Sequence, residues 1–533
     1  MTAAALLVLL ALIGACTSSD GDDAGPTTTS ASTSAGVETT DTAPADAAPT
    51  FELTPVHAQA AERPFFQDGL GREVLLRGVN VIGLGDYYQA DPTLDATLPV
   101  TDEDWAEMAT LGFSAVRLIL SWSLLEPTRG SLDEAYVDRI RGTVEIAAAH
   151  GIYVILDMHQ DAWGTSIATP AGVTCPEGTE TAIGWDGAPA WATLTDDADT
   201  CRLPGQREAS QAVHTAFESF YADRDGIRTA LAQTWGRLAG EFADDPTVAG
   251  YDLFNEPNAV GDIAQNQVGY TQFVLDSIAQ IRAAETAAGG FDHVVFVEPI
   301  VVFPIGDTVP TAGFTSDTNV AFAPHNYWGS IVYGIDVATG FRFATQAAAT
   351  LGMPYWIGEY GWWDTSDESL AELADYAVAE DTGLVGGAWW QWRQACGDPH
   401  SIGVAGNVPD DQIHLHGQGC PDQTDLGVTE EFAVVLSRAY PRAAPGQLLS
   451  LVSDPAARTM TVRGQAGPSA DDAPLVVWVP GEAEPVVSGT NIADVDITAV
   501  DGGFLVRAAA GCAYSLSIDD GAESGVSGDP TAC

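Results

Sequence analysis

Two glutamates follow short apolar runs directly: Glu256, within Asp252-Leu253-Phe254-Asn255-Glu256-Pro257-Asn258, and Glu359, within Ile357-Gly358-Glu359-Tyr360-Gly361. A pair of carboxyls suits hydrolysis of a glycosidic bond. One protonates the leaving oxygen, while the other attacks the anomeric carbon or activates a water. The acid must then have the higher pKa of the two, a difference that environment sets. Other apolar runs end in residues able to bind a polyol or move a proton. These are Asn80, Arg117, His159-Gln160-Asp161, His325 and Tyr327, and Trp390 within Ala388-Trp389-Trp390-Gln391-Trp392. Arg117, His325 and Tyr327 are expected to hold Glu359 ionised by charge and hydrogen bonding. Asn255 suits the sugar 2-hydroxyl, and Trp390 offers a flat face for a sugar ring. Glu126 and Glu298, each followed by proline, read as loop charges. His414-Leu415-His416 has no third ligand nearby, so neither a metal nor another cofactor is expected.

The elements that must position these residues alternate between short apolar strands and amphipathic helices from Phe65 to about Pro445. Strands are expected at Val74–Val79, Ala115–Leu120, Tyr153–Met158, Gly250–Phe254, Val294–Val297, Val320–Ala323, Tyr355–Gly358 and Gly387–Trp390. Helices are expected at Thr101–Leu111, Asp133–His150 and Ile227–Phe242, among others. Eight strands with helices between them predict an α/β fold, a (β/α)8 barrel, whose active site lies at the C-terminal strand ends. The fourth and seventh strands face each other across such a barrel. That favours the carboxyl spacing of about 5–5.5 Å found in retaining enzymes over the roughly 6.5–9.5 Å of inverting ones. No glycine-rich phosphate loop follows any strand. Beyond Pro445 the period becomes two, at Thr459–Arg463, Leu475–Val479, Val495–Val500, Phe504–Ala508 and Ala513–Ile518, which predicts a small β-sandwich. The barrel is thus assigned to 51–445 and the sandwich to 446–533.

The 533 residues carry 74 acidic against 20 basic side chains, a net charge of −54, and every basic one is arginine. Such a chain has no basic face for nucleic acid, no polybasic membrane anchor and no lysine for Schiff-base chemistry. Residues 3–15 form an apolar run too short to span a bilayer but suited to a signal-peptide core. Ile13-Gly14-Ala15-Cys16 resembles a lipobox, so 1–16 is expected to direct export and acylation of Cys16, although no basic segment precedes the run. Residues 17–50, rich in Thr, Ser, Ala, Asp and Pro, read as a disordered tether. With Cys16 set aside, six cysteines remain, and fifteen pairings are open to them. Sequential bridges are favoured, Cys175 with Cys201, Cys396 with Cys420 and Cys512 with Cys533, because each couple lies within one loop or domain.

Asn255-Glu256-Pro257 and Gly358-Glu359-Tyr360-Gly361 resemble glycoside hydrolase family 5, a group of retaining (β/α)8 enzymes. Leu156-Asp157-Met158-His159-Gln160-Asp161 and Gly187-Ala188-Pro189-Ala190-Trp191-Ala192-Thr193 are similar to its endoglycoceramidase branch, whose members are exported and carry a C-terminal β-sandwich. The resemblance spans about residues 65–520. It implies that Glu256 is the acid/base and Glu359 the nucleophile. It also implies that His159, Asp161, Trp191, Asn255, Tyr327 and Trp390 bind the glycan, and that the bond cut joins an oligosaccharide to ceramide. The expected partner is a glycolipid or oligosaccharide substrate, and the protein a monomer. Alternatives are an endo-β-glucanase or β-glucosidase of the same family, or a glycan-binding lipoprotein without catalysis, against which the two glutamates stand. One departure concerns the loop Gly83-Leu84-Gly85-Asp86-Tyr87-Tyr88, which has an Asp and no cation where the branch often places a Lys. The insertion Trp163–Asp225 and the loop Arg393–Asp425 match poorly, and both are expected to border the cleft.

Overall fold

The computed structural model describes residues 51–87, 95–305, 308–331, 335–396, 398, 411–412, 414–470, 472–519 and 525–533. The expected signal segment, tether and Cys16 lie outside the described residues. Three short strands open the chain: β1 (His57–Gln59), β2 (Phe65–Gln67) and β3 (Arg72–Val74). Eight further strands follow: β4 (Gly78–Val81), β5 (Ala115–Ser121), β6 (Tyr153–His159), β7 (Val248–Asp252), β8 (Val294–Val297), β9 (Val320–Phe322), β10 (Ile357–Tyr360) and β11 (Gly387–Trp389). They form one parallel sheet in the order β10-β11-β4-β5-β6-β7-β8-β9. The Phe322 N–H donates to Pro354 O at 2.9 Å and the Trp356 N–H to Phe322 O at 3.0 Å, so β9 closes onto the start of β10. The sheet therefore curls into the expected (β/α)8 barrel.

A parallel barrel buries both faces of its strands, which is why these runs are nearly continuous in apolar residues. Every residue of β5 and β6 is buried. Val116, Leu118, Leu120, Val154 and Leu156 pack outward with the helices, while Ala115, Tyr153 and Ile155 belong to a second apolar cluster. Alternation leaves Arg117 and Asp157 in a polar layer of the barrel interior, and this layer becomes the site. The helices Asp102–Thr110, Glu134–Ala149 and Ile227–Glu241 match expectation to within a residue or two. Thr101 and Asp133 cap the first two through side-chain bonds to backbone N–H groups. Residues 298–319, between β8 and β9, contain no helix among the described residues.

The first expected strand, Val74–Val79, is divided between two sheets. Val74 ends β3 and pairs with Ala443, whereas Gly78 begins β4 and pairs with Ala115. Gly78 lies so close to its neighbour that a Cβ there would meet Ala115 O at 1.6 Å. After β11 comes a small antiparallel sheet of β12 (Asp411–Gln412), β13 (His416–Gly419) and β14 (Thr424–Val428). The C-terminal strands are β15 (Tyr440–Pro445), β16 (Gln447–Asp454), β17 (Thr459–Gln465), β18 (Leu475–Pro480), β19 (Val486–Val500), β20 (Gly503–Asp519) and β21 (Gly525–Ser527). Two of the expected strands, Phe504–Ala508 and Ala513–Ile518, are the halves of β20. The first half pairs with β18 and the second with β17.

The expected boundary at 445/446 cuts through this sheet, because β15 and the N-terminal β1–β3 belong to it. Periodicity marks strands but not the sheet they join. The β-domain rests on the start of the barrel strands. Arg442 donates to Gly151 O at 2.7 Å, Tyr440 donates to Gly112 O at 2.8 Å, and Arg438 pairs with Asp381 at 2.8 Å beside Arg77. It therefore lies away from the C-terminal strand ends. The three sequential disulfides are formed. Among the described residues no helix is long and apolar enough to cross a membrane.

Candidate active site

The polar layer is built around Arg117, which is fully buried on β5. Its Nε donates to Asp252 at 2.9 Å. Its Nη1 donates to Glu359 at 2.8 Å and to Asn80 at 3.2 Å. Its Nη2 reaches Asp157 at 3.0 Å, Glu298 at 2.9 Å and Asn255 at 3.0 Å. Burial opposes the guanidinium charge, yet Asp157, Asp252, Glu359 and Glu298 hold its pKa well above the ordinary value. One cation does not neutralise four acids. Burial pushes Asp157 up to about 7, Asp252 to about 6 and Glu298 to about 8, against the pull of Arg117.

Glu359, at the end of β10, accepts from Arg117 on Oε1 and from the Tyr327 hydroxyl on Oε2 at 2.8 Å. Glu256 follows β7 in the left-handed region, with φ 40°. Such backbone persists only where its surroundings fix it. Here the Glu256 N–H donates to Glu298 Oε2 at 2.8 Å, and Gln160 Nε2 donates to the carbonyls of Asn255 and Glu256 at 2.7 and 3.2 Å. Carboxylate oxygens of Glu256 and Glu359 and a His325 ring nitrogen all lie within 4.8 Å of one another. The two glutamates thus share one site, as expected.

His325 was expected to serve Glu359, but its closer partner is Glu256. Nδ1 lies 2.9 Å from Glu256 Oε1 and 3.4 Å from Glu359 Oε2. Burial alone would raise the pKa of Glu256. The hydrogen bond and charge of His325, with Arg207 Nη2 at 3.3 Å, outweigh it and hold Glu256 below the ordinary carboxylate range. The glutamate expected to carry the proton is thus favoured as an anion between His325 and Arg207.

His159 donates from Nδ1 to Asp157 at 2.7 Å and stacks on Trp390, with centroids 5.5 Å apart. Asn255 donates to Gln160 O at 3.0 Å and lies 3.3 Å from His159 Nε2. Asp161 pairs with Arg207 at 2.7 Å. Trp390 reaches the site but is only 4 % exposed, so its face packs on His159 more than it opens to solvent. Trp191 is held by Glu126, to whose carbonyl its Nε1 donates at 2.9 Å, and its ring meets Trp122 and Arg129. Asp86 turns to Ser123, whose hydroxyl donates to it at 2.8 Å. His414 faces Gln394, while His416 faces Glu107 and Asp425.

Both glutamates read as loop charges are buried. Glu126 accepts from Trp122 at 3.0 Å and pairs with Arg237 at 2.9 Å beneath the rim. Glu298 is a full member of the site. Sequence reasoning also passed over Asp157, Asp252 and Arg207 as site residues. The last comes from the insertion Trp163–Asp225, six residues beyond the Cys175–Cys201 bridge, and its guanidinium packs over Trp185 at 4.8 Å.

Comparison with known proteins agrees with the barrel fold. The crystal structure of an endogalactoceramidase is 43% identical, with a TM-score of 0.81 over 87% of this chain and all of that one. Endoglycoceramidase I of Rhodococcus hoagii (strain 103S) is 31% identical over 51% of this chain and 54% of its own length. An endoglycoceramidase of Cyanea nozakii is 30% identical over 37% and 40%. The chain thus spans about half or less of these two relatives. The model of the Cellulase family (glycosyl hydrolase family 5) matches residues 76–395, the whole barrel through β11. That match covers more than half of the sequence and includes both strand-end glutamates, and the chain belongs to glycosyl hydrolase family 5.

Proposed function

We propose that this protein is a retaining endo-β-glycosidase that cuts the β-linkage between a glycan and ceramide. The observation that carries the double displacement is the approach of Glu256 and Glu359 to within 4.8 Å between carboxylate oxygens, which lies with the spacing of about 5–5.5 Å in retaining enzymes and not with the roughly 6.5–9.5 Å of inverting ones. Glu359, aligned by Arg117 and Tyr327, attacks the anomeric carbon. Glu256 protonates the departing ceramide oxygen and then activates the water that hydrolyses the glycosyl-enzyme. The names of the relatives support the aglycone. The 43% identical endogalactoceramidase makes a galactosyl head group the first to test.

The deciding experiment is hydrolysis of a panel: glucosylceramide, galactosylceramide, a ganglioside, cellotetraose and an aryl β-glucoside. Cleavage of ceramide glycans with the anomeric configuration retained, abolished by Glu359→Ala and by Glu256→Gln, is expected. Cleavage of cellotetraose alone, or an inverted product, overturns the reading. The apolar run 3–15 and Cys16 support export and acylation, so the protein is proposed to act from a lipid tether outside the cytoplasm. The mass of the mature N-terminus tests this, and Cys16→Ser should release the protein into the medium.

A further inference from the structure

Glu298 follows β8, is 2 % exposed, and has no part in the two-glutamate chemistry. Its Oε1 accepts from Arg117 Nη2 at 2.9 Å and lies 3.3 Å from His325 Nε2. Its Oε2 accepts the Glu256 N–H at 2.8 Å. His325 presents its other nitrogen, Nδ1, to Glu256 Oε1 at 2.9 Å. A single imidazole therefore lies between two carboxyls, hydrogen-bonded to the one at the cleft and 3.3 Å from the one deep in the barrel.

We propose that Glu298 stores a proton and passes it through His325 to Glu256, so that the acid/base is charged from inside the barrel. This rests on Glu256 being the acid of the proposed hydrolysis. Glu298 is a positioning residue, since it acts through His325 and touches no sugar atom. The pair shares one proton: while it sits on Glu298 the imidazole is neutral with its hydrogen on Nδ1, and once it passes to His325 Nε2 the ring is the imidazolium that faces Glu256. In the forward step that imidazolium gives its Nδ1 proton to Glu256 Oε1 and keeps the one on Nε2. The carboxylate left on Glu298 is held by Arg117 and the Glu256 N–H. Glu256 then protonates the leaving oxygen as the glycosidic bond breaks and Glu359 bonds to the anomeric carbon. When water attacks the glycosyl-Glu359, its proton goes to Glu256 and the reverse transfer restores Glu298. Protons and charge balance with water as the only co-reactant.

The surroundings favour such a store. The pair faces Arg117 from β5, Asp157 from β6, Asp252 and Glu256 from β7 and its end, and Glu359 from β10. These acids outnumber the cations, so a proton held among them lowers the repulsion. Burial and Asp252 push Glu298 up to about 8 against His325 and Arg117. Burial opposes charge on His325, yet Glu298, Glu359 and Glu256 hold its pKa well above the ordinary imidazole value. Removal of Arg207 from Glu256 by an entering sugar would favour the transfer.

The test uses the full chain and two β-glycosides of the sugar that the substrate panel identifies. One carries dinitrophenol, which leaves without a proton; the other carries an unactivated alkyl group, which needs one. General acid catalysis is worth about 10²–10⁴-fold, so Glu298→Gln should lower kcat/KM for the alkyl glycoside about 10–100-fold. The dinitrophenyl glycoside should lose less, so that the ratio of the two shifts about tenfold or more. Glutamine keeps an acceptor oxygen for the Glu256 N–H, so that a structural role would leave the ratio where it is, and an unshifted ratio overturns the proposal. Should Glu298→Gln not fold, Glu298→Asp, which draws the carboxyl back from His325, carries the same comparison with the same two outcomes. Glu256→Ala, run alongside, should lose the alkyl glycoside and regain dinitrophenyl turnover with azide. If it does not, the acid assignment falls and the Glu298 proposal with it. If it does and the Glu298→Gln ratio is unshifted, the Glu298 proposal alone falls.

Discussion

Tyr327→Phe removes one hydroxyl and separates the two halves of the double displacement. The Tyr327 hydroxyl donates to Glu359 Oε2 at 2.8 Å, and its ring stacks on Trp363 with centroids 5.8 Å apart, so phenylalanine should keep the ring in place. Glu359 would retain Arg117 at 2.8 Å and His325 at 3.4 Å. A hydrogen bond to a charged group contributes about 1.5–3 kcal/mol. It is strongest when Glu359 carries its full charge, before attack and after release, and weakest when Glu359 is the neutral ester of the intermediate. Losing it makes Glu359 a poorer leaving group. If roughly half the bond is realised in that transition state, hydrolysis of the intermediate slows by about 1 kcal/mol, roughly five- to tenfold. On a dinitrophenyl glycoside kcat should fall by this factor and KM should fall with it, because the intermediate accumulates. Stopped-flow bursts and intact-protein mass read both. A kcat/KM that falls in step with kcat, with KM constant and no burst, would refute the reasoning.

Arg117→Met strands Asp157, Asp252, Glu298 and Glu359 in the barrel. It should cost about 3–5 kcal/mol in urea unfolding at neutral pH, and an unchanged midpoint would contradict the hub. Arg207→Met takes one of two cations from Glu256, so the basic limb of kcat/KM should move up, by about one pH unit for roughly 1.4 kcal/mol of lost interaction; a limb that stays or moves down would count against it. Asp157 has its pKa raised by burial from 3.8 to about 7, against the pull of Arg117. Its stabilising contribution is therefore complete below the unfolded value and is lost as pH rises through the folded one. Between them the slope is about 1.4 kcal/mol per pH unit, and Asp157→Asn should remove it from unfolding free energies measured at about pH 5 and 7. An identical slope in both proteins would show that Asp157 does not titrate as described.

Much of the site was legible because a parallel barrel leaves a strand few places for a polar residue. An apolar run must be buried on both faces, so the polar residues at its end must stand at the mouth. Glu256, Glu359, His159, Asn255, His325 and Tyr327 all obey this, and the structure brings them together. Glu298 obeys it too, directly after Val294–Val297. The proline that follows it suggested a loop charge, yet Pro257 follows Glu256 in the same way, so that signal had no power to separate them. Arg207 left no trace, since the insertion joins it to Asp161 from 46 positions away by its own fold. The sheet boundary was hidden because period two is the same in either sheet; only Gly78, pressed against Ala115 O, marks the crossing.

Charge balance is different again, being a property of the closed barrel and not of any one strand. Counted along the eight barrel strands, however, Arg117 is the sole arginine, set against Asp157, Asp252 and Glu359, with Glu298 one residue beyond β8. Strands that bury one cation with four acids must either pair them all with it or leave protons on some. The structure does both. The excess of acid that marks the whole chain thus has a local counterpart at its centre, and there it acts on chemistry as well as on solubility: the unneutralised carboxyls are what make a proton available beside Glu256.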